Sequence, residues 1–234
     1  MTCNAAYWLR VVPLLEDLRA IALDFRGHGL SEHRGSYGYA DYERDLLSLI
    51  DELGLDRVSV AGHSLGGYVA LLAASRSDRV GAVLAVDVKS DWTEADAELA
   101  ARSATASQRV EPDRAALVDR LARSVRPAAL AAEELEVLAD RSIEQVGDGW
   151  RLRWDRRVLA TERVDPYSSL SDVRCVARVL AGSASDVMPP EAAERFAAAI
   201  PGATLELVDG VGHHVELEAP ERVAAAILEL ASGE

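Results

Sequence analysis

Ser64 lies in "AGHSLGGY", residues 61–68, where Gly62, Ser64 and Gly66 complete a G-x-S-x-G pattern. A serine hydroxyl is a poor nucleophile at neutral pH. It attacks a carbonyl only with a base in hydrogen-bond reach, and the base needs a carboxylate to orient it. Two later loops carry those groups. Asp186 lies in "AGSASDVMPP" (181–190), and His213 lies in "DGVGHHVELEAPE" (209–221). The chain order Ser64, Asp186, His213 suits a nucleophile, an orienting acid and a base. Asp209, four residues before His213, and Asp87, after the apolar run 79–86, are rival acids. The backbone N–H of Leu65, the residue after the serine, is placed to receive an oxyanion.

These loops need a scaffold that gathers them. "RAIALD" (19–24), "RVSVAG" (57–62), "RVGAVLAVD" (79–87), "RCVARVLAG" (174–182) and "TLELV" (204–208) read as strands. Their near-continuous apolar character predicts a parallel sheet buried on both faces. Helical spacing predicts helices over 6–18, 39–54, 64–76, 189–200 and 219–231. Strand–helix alternation of this kind gives an α/β, mostly parallel, doubly wound sheet, with ligands bound at the carboxyl ends of its strands. A sharp turn there, between flanking glycines Gly62 and Gly66, would lift Ser64 above the sheet at a helix N-terminus. Residues 87–172 break the alternation. Helices are predicted near 93–107, 112–125, 127–146 and 157–163, with a hairpin over 147–155. This stretch reads as a helical cap inserted into a core of residues 1–86 and 173–234.

A net charge of −14 argues against nucleic acid as a partner, and no apolar stretch is long enough to span a membrane. The N-terminus lacks the pattern of a signal peptide, and the expected setting is cytoplasmic. Cys3 and Cys175 form no metal or redox spacing, so no metal is expected. His28, His33 and His63 read as structural or solvated, Asp24 as the residue that fixes the "RGHG" turn (26–29), and Cys175 as inert core. Trp92, Trp150 and Trp154 read as packing residues of the cap. The expected partner is a small-molecule acyl substrate, while the oligomeric state is not readable.

"ALDFRGHGLSE" (22–32), "GHSLGG" (62–67), "AGSASDVMPP" and "GVGHHVELEAPERV" (210–223) together resemble the α/β-hydrolase superfamily, of the small, capped, esterase-like kind. The resemblance covers nearly the whole chain. It implies the α/β-hydrolase fold, His213 and not His214 as the base, and hydrolysis through an acyl-enzyme without a cofactor. Serine in place of aspartate at the elbow argues against haloalkane dehalogenase and epoxide hydrolase chemistry. Similar proteins begin with three further strands and a His-Gly turn that supplies a second oxyanion donor. Here that place falls at Met1 and Thr2, whose backbone would have to serve. Without the third strand, 19–24 and 57–62 would stand about 10 Å apart with no shared neighbour. On this reading the assigned start is too late, or the chain is a damaged copy with crippled catalysis. Acyl transfer, carbon–carbon bond hydrolysis and cofactor-free oxygen chemistry are further reactions open to the same three residues.

Overall fold

The computed structural model describes residues 3–33, 35–160 and 165–233. Two short 3-10 turns, Ala5–Trp8 and Val12–Leu14, precede α1 (Tyr39–Glu52), β1 (Val58–His63), α2 (Leu65–Arg76) and β2 (Val80–Val86). Then come α3 (Glu94–Thr105), α4 (Arg114–Ser124), α5 (Ala132–Ser142), β3 (Ile143–Val146) and β4 (Gly149–Leu152). The chain closes with β5 (Val176–Gly182), α6 (Pro190–Ala198), β6 (Thr204–Val208), α7 (Val215–Glu218) and α8 (Pro220–Ser232).

Strands β1, β2, β5 and β6 form one parallel sheet in the order β1-β2-β5-β6. Strand β2 shows why the sheet reads as nearly unbroken apolar sequence. Val83 and Ala85 enter a core with Leu71 of α2 and Phe196 of α6. Ala82, Leu84 and Val86 enter the opposite core with Val223 and Leu230 of α8. Side chains alternate with a period of two, and both faces are covered, so every position must be apolar. The parallel register, Val86 beside Leu180 and Gly182 beside Val208, brings the carboxyl ends of the strands to one edge.

Several expected elements differ. Residues 19–24 run extended but join no ladder among the described residues. A cavity of about 490 Å³, walled by residues 18–23 on one side and 57–66 on the other, lies between them and β1, where a gap is expected without a shared neighbouring strand. The helix expected over 6–18 is only the two 3-10 turns. Pro13 offers no N–H to continue it, and β-branched Val11 and Val12 precede the break. The helix expected over 127–146 starts at Ala132 and stops at Ser142, because Ile143–Val146 pair with Gly149–Leu152 in an antiparallel hairpin. Of 157–163, only a 3-10 turn at Arg156–Ala160 is seen, and the remainder lies outside the described residues.

The segment between β2 and β5 has its own cluster, including Leu117, Leu121, Leu138 and Ile143, which closes over Tyr7 and Leu217. Arg10 binds it from below: its guanidinium donates to both oxygens of Glu134 and to the carbonyls of Ala128 and Leu217. A second tie lies near the end of the segment. Tyr37 Oη donates to Asp155 at 2.7 Å, and Arg157 donates to the same carboxylate. The Asp155 N–H donates to the Gly27 carbonyl at 2.8 Å. Burial and the Asp155 bond push the Tyr37 phenol up to about 12. Burial alone would raise the Asp155 carboxyl, but the bonds from Arg157 and Tyr37 prevail and hold it well below the usual range.

A depressed acid pKa stabilises the fold above the unfolded value, about 3.9 for aspartate, and that contribution fades as the pH falls through the lower folded value. Asp155→Asn is therefore expected to melt below wild type at neutral pH, with the difference closing as the pH drops below about 4. Thermal unfolding followed by circular dichroism across that range tests this; a constant difference would show that the carboxylate charge is irrelevant.

Candidate active site

The turn from β1 into α2 is tight. Ser64 has φ 52° and ψ −116°, a region that side-chain-bearing residues rarely occupy and that costs about 1–3 kcal/mol. Neighbouring contacts enforce it. The Ser64 N–H donates to the Val86 carbonyl at 2.8 Å, and the Ser64 carbonyl accepts from Gly67 and Tyr68. A Cβ on Gly62 would overlap the Gly66 carbonyl group, and one on Gly67 would stand 2.7 Å from the Gly62 oxygen and from Val88. Gly62 and Gly67 are thus the residues that make room. Gly66, expected to share that task with Gly62, has only a Phe25 ring carbon 3.8 Å from where its Cβ would be. Leu65 opens α2, so its N–H belongs to the first turn and has no acceptor within the helix.

His213 comes from the loop after β6. That loop lies against the end of β5, where a Cβ on Gly182 would overlap the carbonyl oxygens of Val211 and Gly212. Gly212 donates its N–H to Glu218 at 3.0 Å. The His213 Nδ1 lies 2.6 Å from Oδ1 of Asp87. A carboxylate only accepts, so Nδ1 carries the proton and Nε2 keeps a lone pair. The His213 side chain retains 23% exposure, whereas Asp87 has none.

Asp87, and not Asp186, is therefore the carboxylate on the imidazole. Asp186 is exposed to solvent, while Ser185 beside it is buried and donates its hydroxyl to Asp87 Oδ1 at 2.7 Å. The Gly182 N–H donates to the other Asp87 oxygen at 3.0 Å. Asp87 occupies another positive φ, 46°, which turns its side chain inward at the end of β2. Asp209 is near the surface and accepts from Ser183 Oγ at 3.3 Å. The sequence carried a signal for Asp87, since it terminates an otherwise wholly apolar buried strand; it carried none for Ser185. Met1 and Thr2, the expected second oxyanion donors, lie outside the described residues.

His63 joins the serine turn to the histidine loop. Its Nε2 donates to the His213 carbonyl at 2.9 Å, and the two rings stand 4.4 Å apart. Burial, with the nearby imidazoles of His213 and His214 adding to it, holds His63 well below the usual imidazole range, so it stays neutral. Behind it, fully buried Glu216 places Oε1 3.4 Å from His63 Nδ1 and 3.2 Å from His214 Nδ1. Burial, followed by Cys3 and Glu216, pushes the Tyr7 phenol well above its ordinary value. Cys3, His63 and His214 each offer a potential metal-ligating atom within 4.8 Å of the others. Asp24 does fix its turn: its carboxylate accepts from the Ala5 and Leu30 N–H groups, at 2.6 and 2.8 Å.

A parallel sheet with a strained serine turn, and a buried Asp–His pair at the same edge, define a class of catalytic scaffold. The chain belongs to the Alpha/beta hydrolase family, whose sequence profile it matches over residues 2–226, and it is an enzyme of the hydrolase type. It is similar to 2-(acetamidomethylene)succinate hydrolase of Mesorhizobium japonicum, 29% identical over 97% of this chain and 84% of that protein. It is also similar to esterase YbfF of Escherichia coli K12, 26% identical over 92% of this chain and 83% of that one. Its fold matches the crystal structure of E-2-(acetamidomethylene)succinate hydrolase with a TM-score of 0.86 and 24% identity, covering 99% of this chain and 88% of the other. Among the described residues, no helix is long and apolar enough to cross a membrane.

The two turn glycines separate by substitution. Gly62→Ala is expected to lower stability by about 1–3 kcal/mol through overpacking. Gly66→Ala should stay within about 0.5 kcal/mol of wild type, since nothing opposes the added methyl. Urea unfolding of both variants measures the contrast, and equal losses would contradict the geometry.

Proposed function

We propose that this hydrolase cleaves a carboxylic ester or a related acyl bond, with Ser64 as nucleophile, His213 as base and Asp87 as the orienting acid. The observation that carries the reading is the 2.6 Å contact from His213 Nδ1 to buried Asp87. It fixes the tautomer that leaves Nε2 able to take a proton. His213 accepts the Ser64 hydroxyl proton as the oxygen attacks the substrate carbonyl. The Leu65 N–H, at the positive end of α2, stabilises the oxyanion. His213 then returns the proton to the leaving alcohol, and an acyl-serine remains. Water, deprotonated by the same imidazole, releases the acid and frees Ser64.

Asp87 stays ionised throughout, balancing the imidazolium that forms each time His213 takes a proton. Its bonds from Ser185 and Gly182 hold it still, so little reorganisation accompanies the transfer. The segment 87–172 acts as the cap, packed over Tyr7 and Leu217 near the histidine loop. The similarity to an esterase of Escherichia coli supports the choice of an ester bond.

A fluorophosphonate probe and a panel of p-nitrophenyl esters test the proposal. Wild type should be labelled and active, and Ser64→Ala neither. Asp87→Asn should lose about 10⁴-fold in kcat, because the amide favours the wrong tautomer. Asp186→Asn should remain within about twofold, as a surface change away from the imidazole. Absence of labelling in folded wild type would mark a non-catalytic member of the family. A collapse in Asp186→Asn with Asp87→Asn intact would return the acid to Asp186.

A further inference from the structure

Behind the Ser64 turn lies a cluster that the hydrolytic reading does not use. Cys3 comes from the first described residue, His63 from the end of β1 and His214 from the start of α7, and one ligand atom of each lies within 4.8 Å of the others. Nothing in their sequence spacing announces the grouping. Glu216 lies against them with its side chain wholly buried. One of its oxygens, Oε2, has no hydrogen-bond partner.

The hydrogen-bond geometry is the telling feature. His63 spends its Nε2–H on the His213 carbonyl, which leaves Nδ1 as the ring atom that faces inward. That atom faces Oε1 of Glu216 at 3.4 Å, and the same oxygen lies 3.2 Å from His214 Nδ1. The Nδ1 of His63 and a carboxylate oxygen thus confront each other in a buried site, and among the described residues His214 is the imidazole placed to donate to that oxygen. A buried carboxylate in such a place is costly without positive charge.

The geometry points to a binding site for a borderline-soft divalent cation of the zinc type, with Cys3, His63 and His214 as ligands and Glu216 as the carboxylate that balances the charge and orients His214. Thiolate plus imidazole is the donor set that such an ion selects over magnesium or calcium. A carboxylate beside a metal-bound imidazole is the usual supporting partner. On binding, the Cys3 thiol gives up its proton to solvent and its sulfur becomes a ligand, so one proton is released for that bond. The site adjoins the proposed base, because the His213 ring stands 4.4 Å from that of His63 and 5.3 Å from that of His214. A bound dication would oppose the positive charge that His213 must acquire. The site is therefore inhibitory. That consequence rests on the proposed triad; the binding itself does not.

Cobalt(II) reports the ligands directly. Chelator-treated full-length protein titrated with cobalt chloride should bind one ion per chain and show a thiolate-to-cobalt charge-transfer band in the near ultraviolet. Cys3→Ser should lose that band, and His214→Gln should weaken binding. Circular dichroism on each variant checks that it is folded. Zinc chloride should displace the cobalt and slow p-nitrophenyl ester hydrolysis about tenfold or more in wild type, from the effect of a nearby like charge. Chelator should restore the rate, and Cys3→Ser should be unaffected by zinc. Absence of the charge-transfer band in folded wild type would overturn the site. Equal inhibition of wild type and Cys3→Ser would also overturn it, by placing the metal on His213 itself. If wild type proves inactive on every ester, the triad reading fails while the cobalt spectrum still decides the metal site.

Discussion

A single buried carboxylate organises the carboxyl edge of this sheet. Asp87 is withdrawn from water, and a lone ionised group there would be strongly unfavourable. It is tolerated because three donors converge on it: the Gly182 N–H from the end of β5, the Ser185 hydroxyl from the loop that follows, and the His213 imidazole from the loop after β6. The donors come from two stretches of chain far apart in sequence, and each must be in place for the charge to be met. The carboxylate therefore fixes the relative positions of β2, β5 and the histidine loop. The imidazole inherits its orientation from a group that cannot move without exposing an unpaired charge.

The serine turn is held by a different means. No hydrogen bond of its side chain is needed to explain the Ser64 backbone, since steric exclusion explains it. Two glycines let α2 approach β1 so closely that the chain has nowhere else to go. The turn and the Asp87 cluster share a boundary at Val86, whose carbonyl accepts from Ser64 just before the chain reaches Asp87. Strain on one strand is thus balanced by hydrogen bonding to the next.

The sheet was largely legible because its strands are apolar on both faces; β6 was read to the residue, and β1, β2 and β5 to within two. The run at 19–24 has the same composition but joins no ladder among the described residues, since a ladder belongs to a pair and the sequence offers no strand to stand beside it. Asp186 shows the limit at the site. Sequence placed the acid on the loop after β5, at the correct edge of the sheet, but the carboxylate that meets His213 follows β2, and the β5 loop supplies the hydroxyl that supports it. Ser185 turned in and Asp186 turned out. The glycine assignment failed for a similar reason: the motif marks Gly66, while the close contact falls on Gly67. The grouping of Cys3, His63 and His214 was invisible because its members come from the beginning, middle and end of the chain.

The backbone position of Asp87 has a mechanical corollary. It is the first residue of the long excursion that carries α3, α4, α5 and the β3–β4 hairpin, and that excursion is clasped at Arg10 and Tyr37. The acid is thus a hinge pin as well as a charge. Were the acid on the loop after β5, the root of the excursion would lose this anchor and keep only the clasps at Arg10 and Tyr37. Here, rotation at its root would have to twist a left-handed residue whose side chain is anchored at three points, so the excursion is pinned at its origin as well as at its two clasps.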